Sequence, residues 1–146
     1  MNRAPAFNAE QRSRLARRAA TARWARLGRG VLTLAQIRDA VAKALAGREA
    51  EAPRRSKAYL FGSYGRGDAT SRSDLDILVI VEKMPDDLLG EIATLTSAIH
   101  KALGGMGDDA CKEIDLILTD AATFNDYKDA RGSVYYDVHR EGVRLV

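Results

Sequence analysis

Apolar residues recur with the period of a helix in three stretches of this chain, which predicts three helices between residues 31 and 146. One begins after Thr33. Another begins at Pro85–Asp87, where proline and acidic residues suit a helix start, and it continues to about Leu103. A third covers about Val134–Arg140 and ends at Gly142. The apolar stripes of the two longer helices consist of Leu34, Ile37, Val41 and Leu45, and of Leu88, Ile92, Leu95 and Ile99.

Shorter apolar runs between these stretches predict strands. They cover 58–61, 74–81 and 113–118, and residues 143–146 are predicted to add a short edge strand. Residues 49–56 and 62–73 are polar or rich in glycine, and therefore predict loops. The order of elements predicts a mixed α/β (α+β) domain with a small mixed sheet of three or four strands, flanked by helices on one face.

The first 30 residues differ from the rest in charge. They contain eight arginines against Glu10, a charge of +7, so residues 31–146 carry −4 of the total of +3. Asn8 and Gln11 resemble a capping box that opens a basic helix reaching about Leu27. We therefore predict two units, a basic N-terminal helical extension (1–30) and a domain (31–146). The extension could bind nucleic-acid phosphates, dock on a partner or a second copy of the chain, or remain solvated, and Trp24 favours docking.

Composition narrows the class of protein. No apolar run approaches the ~20 residues that span a bilayer, and no signal-peptide pattern is visible at the Arg-rich start. Cys111 is the only cysteine, which excludes an intrachain disulfide and a thiolate metal cluster. We expect a cytoplasmic protein without a membrane segment.

The chemistry is concentrated in residues 61–77. Gly62 follows a predicted strand and allows the backbone to approach a ligand closely. Ser63 supplies a hydroxyl and a backbone N–H at a turn where amides lack partners, which suits an anion. Arg66 could add a charged contact to a phosphate, or could be a solvated loop residue.

Two carboxylates follow this turn, and a third comes later. Asp74 and Asp76 lie two residues apart in a predicted strand, so they share one face of the sheet. Asp115 interrupts an apolar strand, where we expect a buried charge to need a partner or a metal. If the two strands are neighbours, the three acids converge, and ligation by oxygen alone suits Mg²⁺. Three acids, two metal ions and a phosphate-binding turn suffice for in-line displacement at phosphorus.

In this pattern the chain resembles the nucleotidyltransferase superfamily that shares the DNA polymerase β palm. The resemblance consists of Gly62-Ser63, ten intervening residues, Asp74-x-Asp76 and the later Asp115. The segments Phe61–Gly67, Asp68-Ala69-Thr70 and Ser73-Asp74-Leu75-Asp76 are most similar to minimal nucleotidyltransferases, in which we expect alanine more often at Gly65. The resemblance covers residues from about Thr33 onward and says nothing about residues 1–30.

The resemblance implies roles for these residues. Asp74, Asp76 and Asp115 would be both the catalytic residues and the ligands of a two-metal Mg²⁺ site, and Asp115 could receive the acceptor's proton. Gly62, Ser63 and Arg66 would bind the triphosphate of ATP or another NTP. Minimal members often pair with a HEPN-type toxin and transfer AMP to one of its tyrosines, so an antitoxin role is implied.

Other interpretations of the sequence remain open. The acceptor could be a small molecule such as an aminoglycoside, bound in the cleft of a homo-oligomer. The chain could also be a catalytically idle module that binds nucleic acid or a partner through its basic helix. Asp-x-Asp or Gly-Ser alone would be weak signals, and Asp68 suits a turn. Tyr64 could stack on a nucleobase or merely cover its loop.

Overall fold

The computed structural model describes residues 31–49, 56–104 and 113–146. Residues 1–30, with Trp24, and Cys111 lie outside the described residues, so the predicted basic helix and the boundary at residue 30 stay predictions. The helices are α1 (Leu34–Glu49), α2 (Gly62–Arg66), α3 (Leu88–Leu103), α4 (Ala121–Tyr127) and α5 (Val134–Glu141). The strands are β1 (Lys57–Phe61), β2 (Leu75–Val81), β3 (Ile114–Asp120) and β4 (Val143–Arg144).

Within the described residues these strands form one mixed sheet in the order β3-β2-β1-β4. β1 is antiparallel to both β2 and β4, whereas β2 and β3 are parallel. The parallel pair requires a crossover, which α3 provides. This topology confirms the predicted small mixed sheet, and it makes β3, the strand of Asp115, an edge strand.

The larger core fills one face of the sheet, between the strands and the helices α1 and α3. Alternate residues of β2 point into it, because successive side chains of a strand point to opposite faces. Among its fully buried members are Ile37, Val41, Leu60, Leu75, Ile77, Val79, Leu95 and Ile99. The two apolar stripes predicted for α1 and α3 both supply residues to this core.

The opposite face of the sheet carries a smaller cluster built on Leu78, Ile80 and Val138. Residues of α4 and α5 pack on it, with Phe124 stacked on Tyr59 at 6.4 Å between ring centroids. The expectation of helices on one face is therefore wrong, and helices flank both faces. The reason is the remaining residues of β2, which are apolar from Leu78 onward and need a cover.

Side-chain caps fix most helix starts. Thr33 and Gln36 exchange backbone-to-side-chain hydrogen bonds of 2.8 and 3.1 Å, a capping box ahead of α1. Asp87 accepts from the amide of Gly90 ahead of α3, and Ser133 accepts from the amide of Tyr136 ahead of α5. These starts confirm the predicted positions of the three helices. No helix of the described residues is both long enough and apolar enough to cross a membrane.

Candidate active site

The three predicted carboxylates meet at one end of the β2–β3 pair. Asp76 and Asp115 are direct partners in the parallel register, and Phe61 is the partner of Asp76 on β1. Asp74 lies just before β2, which begins at Leu75, so it does not share the strand with Asp76 as predicted. A tight turn, in which the amide of Ser73 donates to the carbonyl of Thr70 at 3.1 Å, precedes Asp74, and the pairing with β3 begins at Leu75.

The electrostatics of Asp76 show that the carboxylates are close together. The pKa of Asp76 is raised from 3.8 to about 6. The largest cause is burial, which disfavours the charged form, followed by the negative charges of Asp115 and Asp74 and a side-chain hydrogen bond with Asp115. The positive charge of Arg66 opposes this rise, which places its guanidinium within electrostatic reach of the same carboxylate.

Asp115 differs in one respect from the sequence prediction. We expected it to be a buried charge, but its side chain is exposed. Ile114 and Leu118 of the same strand are buried in the larger core. Because side chains alternate along β3, Asp115 points to the opposite face at the edge of the sheet. An exposed carboxylate can be reached by a second molecule from solution.

The turn after β1 lies directly against Asp76. Gly62 has a φ of 66°, in the left-handed region that glycine tolerates, and a Cβ at this position would fall on the Asp76 carboxylate. A larger residue would therefore both strain the backbone and displace the carboxylate. Ser63 follows in the first turn of α2 and is half-buried. The structure thus brings Gly62 next to the carboxylate of Asp76, and Ser63 is the next residue along the chain.

Arg66 ends α2 and is half-exposed beside the site. Its Nε lies 3.4 Å from Oδ2 of Asp68, a contact that the sequence analysis did not predict. Tyr64 has no exposed surface, and its hydroxyl accepts a hydrogen bond from the amide of Leu32 at 3.4 Å. Tyr64 is therefore a core residue, and the interpretation that it stacks on a nucleobase is wrong.

The donor set suits a hard divalent cation. Among the described residues, no group of three His, Cys, Asp or Glu side chains is arranged as it stands to hold a metal ion. The negative charges of Asp76 and Asp115 instead repel each other, which contributes to the raised pKa of Asp76. A cation between them would relieve the same repulsion, and carboxylate oxygens are the ligands that Mg²⁺ prefers. The residues present therefore fit this metal.

Comparisons with known proteins bear on this arrangement. Comparison with curated proteins gives no significant match. A crystal structure of a candidate nucleotidyltransferase from Sulfolobus solfataricus is similar at a TM-score of 0.46 and 19% identity, over 86% of this chain and 85% of that chain. The model of the nucleotidyltransferase domain family matches residues 39–137, which include the Gly62-Ser63 turn and all three carboxylates. Because this match covers more than half of the chain, the protein belongs to the nucleotidyltransferase domain family.

Proposed function

We propose that this protein transfers a nucleoside monophosphate, AMP in the first instance, from a nucleoside triphosphate to an acceptor hydroxyl. One observation carries the proposal. Asp76 and Asp115 are register partners on neighbouring strands, with Asp74 one residue before β2 and the Gly62 turn against Asp76. Family membership supports nucleotidyl transfer in general. The identity of the nucleobase and that of the acceptor are part of what we propose.

Asp74, Asp76 and Asp115 are the residues that would hold Mg²⁺. When bound, the metal would neutralise phosphate charge and orient the triphosphate for in-line attack. The raised pKa of Asp76 means that protons compete for the same oxygens, because ligation requires the ionised carboxylate. Metal affinity should therefore fall as the pH drops below about 6.

The remaining roles fall to groups of the chain itself. The backbone at Gly62 and the hydroxyl and amide of Ser63 bind triphosphate oxygens, and Arg66 adds a charged donor. The acceptor oxygen forms a bond to the α-phosphorus while the bond from that phosphorus to the bridging oxygen breaks, and pyrophosphate leaves. Asp115 takes the proton of the acceptor hydroxyl, a role for which its exposure is suited.

We further propose that the acceptor is a protein hydroxyl, a tyrosine of a HEPN-type toxin. Support for this choice comes from the resemblance of residues 61–70 and 73–76 to minimal nucleotidyltransferases. The open position of Asp115 on an edge strand also suits an acceptor carried by a separate macromolecule. Incubation with [α-³²P]ATP and candidate toxins tests this directly, because the label must appear on a toxin tyrosine.

The reaction class is tested first by ligand binding. We expect each nucleoside triphosphate that binds to raise the melting temperature only with Mg²⁺ present, since a ligand at ~100 times its Kd adds ~2.7 kcal/mol. Asp74→Ala and Asp76→Ala should abolish the shift. Asp39→Asn is a matched control, because Asp39 lies on α1 and pairs with Lys43 at 3.0 Å. A folded protein that shows no shift with millimolar nucleotide would instead favour an idle binding module.

A further inference from the structure

Asp68 is placed to control the side chain of Arg66. Resting on the proposed function, we infer that Asp68 is a positioning residue that holds the Arg66 guanidinium ready for the triphosphate. Nothing in the nucleotidyl-transfer chemistry requires this carboxylate, and the sequence suggested only a turn residue. Arg66 is the residue proposed to bind phosphate, and Asp68 would fix the orientation of its guanidinium.

The contact occupies one specific nitrogen of Arg66. Nε lies 3.4 Å from Asp68 Oδ2, while the side chains of Arg66 and Asp68 are 51% and 53% exposed. Within the described parts of the chain, the two terminal amino groups of Arg66 donate to no protein acceptor. A guanidinium held through Nε keeps these two groups available for the oxygens of a phosphate.

The backbone holds Asp68 in place from the other side. Gly67 adopts the left-handed conformation with a φ of 78°, and its amide donates to the carbonyl of Tyr64 at 3.2 Å. This reversal lets the amide of Asp68 donate to the carbonyl of Ser63 at 3.0 Å. Asp68 is thus tied to Ser63, a residue of the proposed phosphate-binding turn, and its carboxylate reaches back to Arg66.

The contact between Asp68 and Arg66 would orient the guanidinium rather than stabilise the fold. An exposed ion pair adds little to the free energy of unfolding, because water screens it. An arginine that is already oriented loses less rotamer freedom when it binds phosphate. A carboxylate with no such role would act in the opposite direction, since its charge would repel a triphosphate. The two possibilities therefore predict opposite changes in Kd when the Asp68 side chain is removed by substitution with alanine.

The test is calorimetric titration of the full chain with ATP and Mg²⁺. Asp68→Ala should raise the Kd about three- to tenfold, the range expected for losing one pre-oriented side chain. Asp68→Asn keeps an acceptor oxygen for Nε and removes a repelling charge, so its Kd should equal the wild-type value or lie below it. Arg66→Ala should raise the Kd at least about tenfold. Adding Asp68→Ala to Arg66→Ala should cause no further weakening.

Two controls separate the possible failures. Asp39→Ala removes another exposed ion pair, on α1, and should leave the Kd unchanged. The inference is overturned if Asp68→Ala binds as tightly as wild type or more tightly, or if it weakens binding equally when Arg66 is absent. In both cases the proposed function stands, because the wild-type chain still binds ATP. If wild type itself binds no nucleotide, both proposals fail.

Discussion

The candidate active site contains residues whose environment is unusual for a folded chain. Asp76 is partly buried beside two other carboxylates, and its burial, followed by their negative charges, raises its pKa to about 6. Gly62 is required by its φ of 66° and by its contact with the same carboxylate. Groups with such perturbed pKa values concentrate at functional sites, where the fold tolerates repulsion that a bound ligand relieves.

The carboxyl group of Asp76 gives a prediction with a definite sign. Its folded pKa lies above the unfolded value of 3.8, so the stability it contributes is greatest below that value and is lost as the pH rises through about 6. At pH values above about 6 and without divalent cations, the Asp76→Asn variant should therefore melt at a higher temperature than the wild type. This difference in melting temperature should shrink towards ~pH 4, and thermal denaturation of both proteins at a series of pH values measures it.

The matched comparison is Asp39→Asn, which should not follow this pH dependence, because Asp39 lies on α1 away from the carboxylates. Asp76→Asn should also lose the stabilisation by Mg²⁺ and ATP. A variant with no gain in melting temperature above ~pH 6 would show that the folded protein does not disfavour the ionised form of Asp76.

At the scale of elements, the strands and the three helices with apolar periodicity were predictable, whereas the two short helices α2 and α4 were not. The helices α1, α3 and α5 start where the sequence predicted, because apolar periodicity and capping residues act locally. The α2 helix has only five residues, within a segment predicted as a loop. The α4 helix was missed because it has no buried residue and no apolar stripe. The available signal was Asp120, whose side chain accepts from the amide of Thr123 at 2.7 Å as an N-cap.

The packing of α2 on β1 leads to a second prediction. Helix propensity alone favours Gly65→Ala by about 1 kcal/mol. In the fold, however, a Cβ at Gly65 would lie 2.8 Å from the carbonyl oxygen of Leu60, and a strand backbone cannot move aside easily. We expect Gly65→Ala to lower the free energy of unfolding and to weaken nucleotide binding, since α2 carries Ser63. Chemical denaturation measures the first effect, and a stabilised variant would contradict the prediction.

The molecule as a whole has two unequal layers, one on each face of the sheet, and the candidate site lies on the side of the smaller one. The larger core joins α1 and α3 to one sheet face, while α4 and α5 cover the other face around Leu78, Ile80 and Val138. The carboxylates lie at one end of that second face, next to the part that α4 and α5 cover. A rigid sheet can therefore hold Asp76 and Asp115 in register while the end of the face stays open to substrates.

The domain boundary predicted at residue 30 can be tested on the whole molecule. The core of the described residues begins at Leu32, and the family match begins at residue 39. We expect a chain of residues 31–146 to keep the melting temperature and the Mg²⁺-dependent ATP binding of the full chain. It should lose any salt-dependent binding to nucleic acid, because eight arginines are removed. Loss of folding would instead make residues 1–30 part of the domain.

The sequence by itself determined the candidate chemistry, the strands and the three helices with apolar periodicity. The spacing of Gly62, Ser63, Asp74 and Asp76 and the helical periodicity are properties of neighbouring residues, which local rules can interpret. Only the tertiary structure decided that Asp115 is exposed and pairs in register with Asp76. It also decided that helices cover both faces of the sheet and that Asp68 contacts Arg66. These features depend on strand order and on how the chain reverses between elements, which residue spacing does not specify.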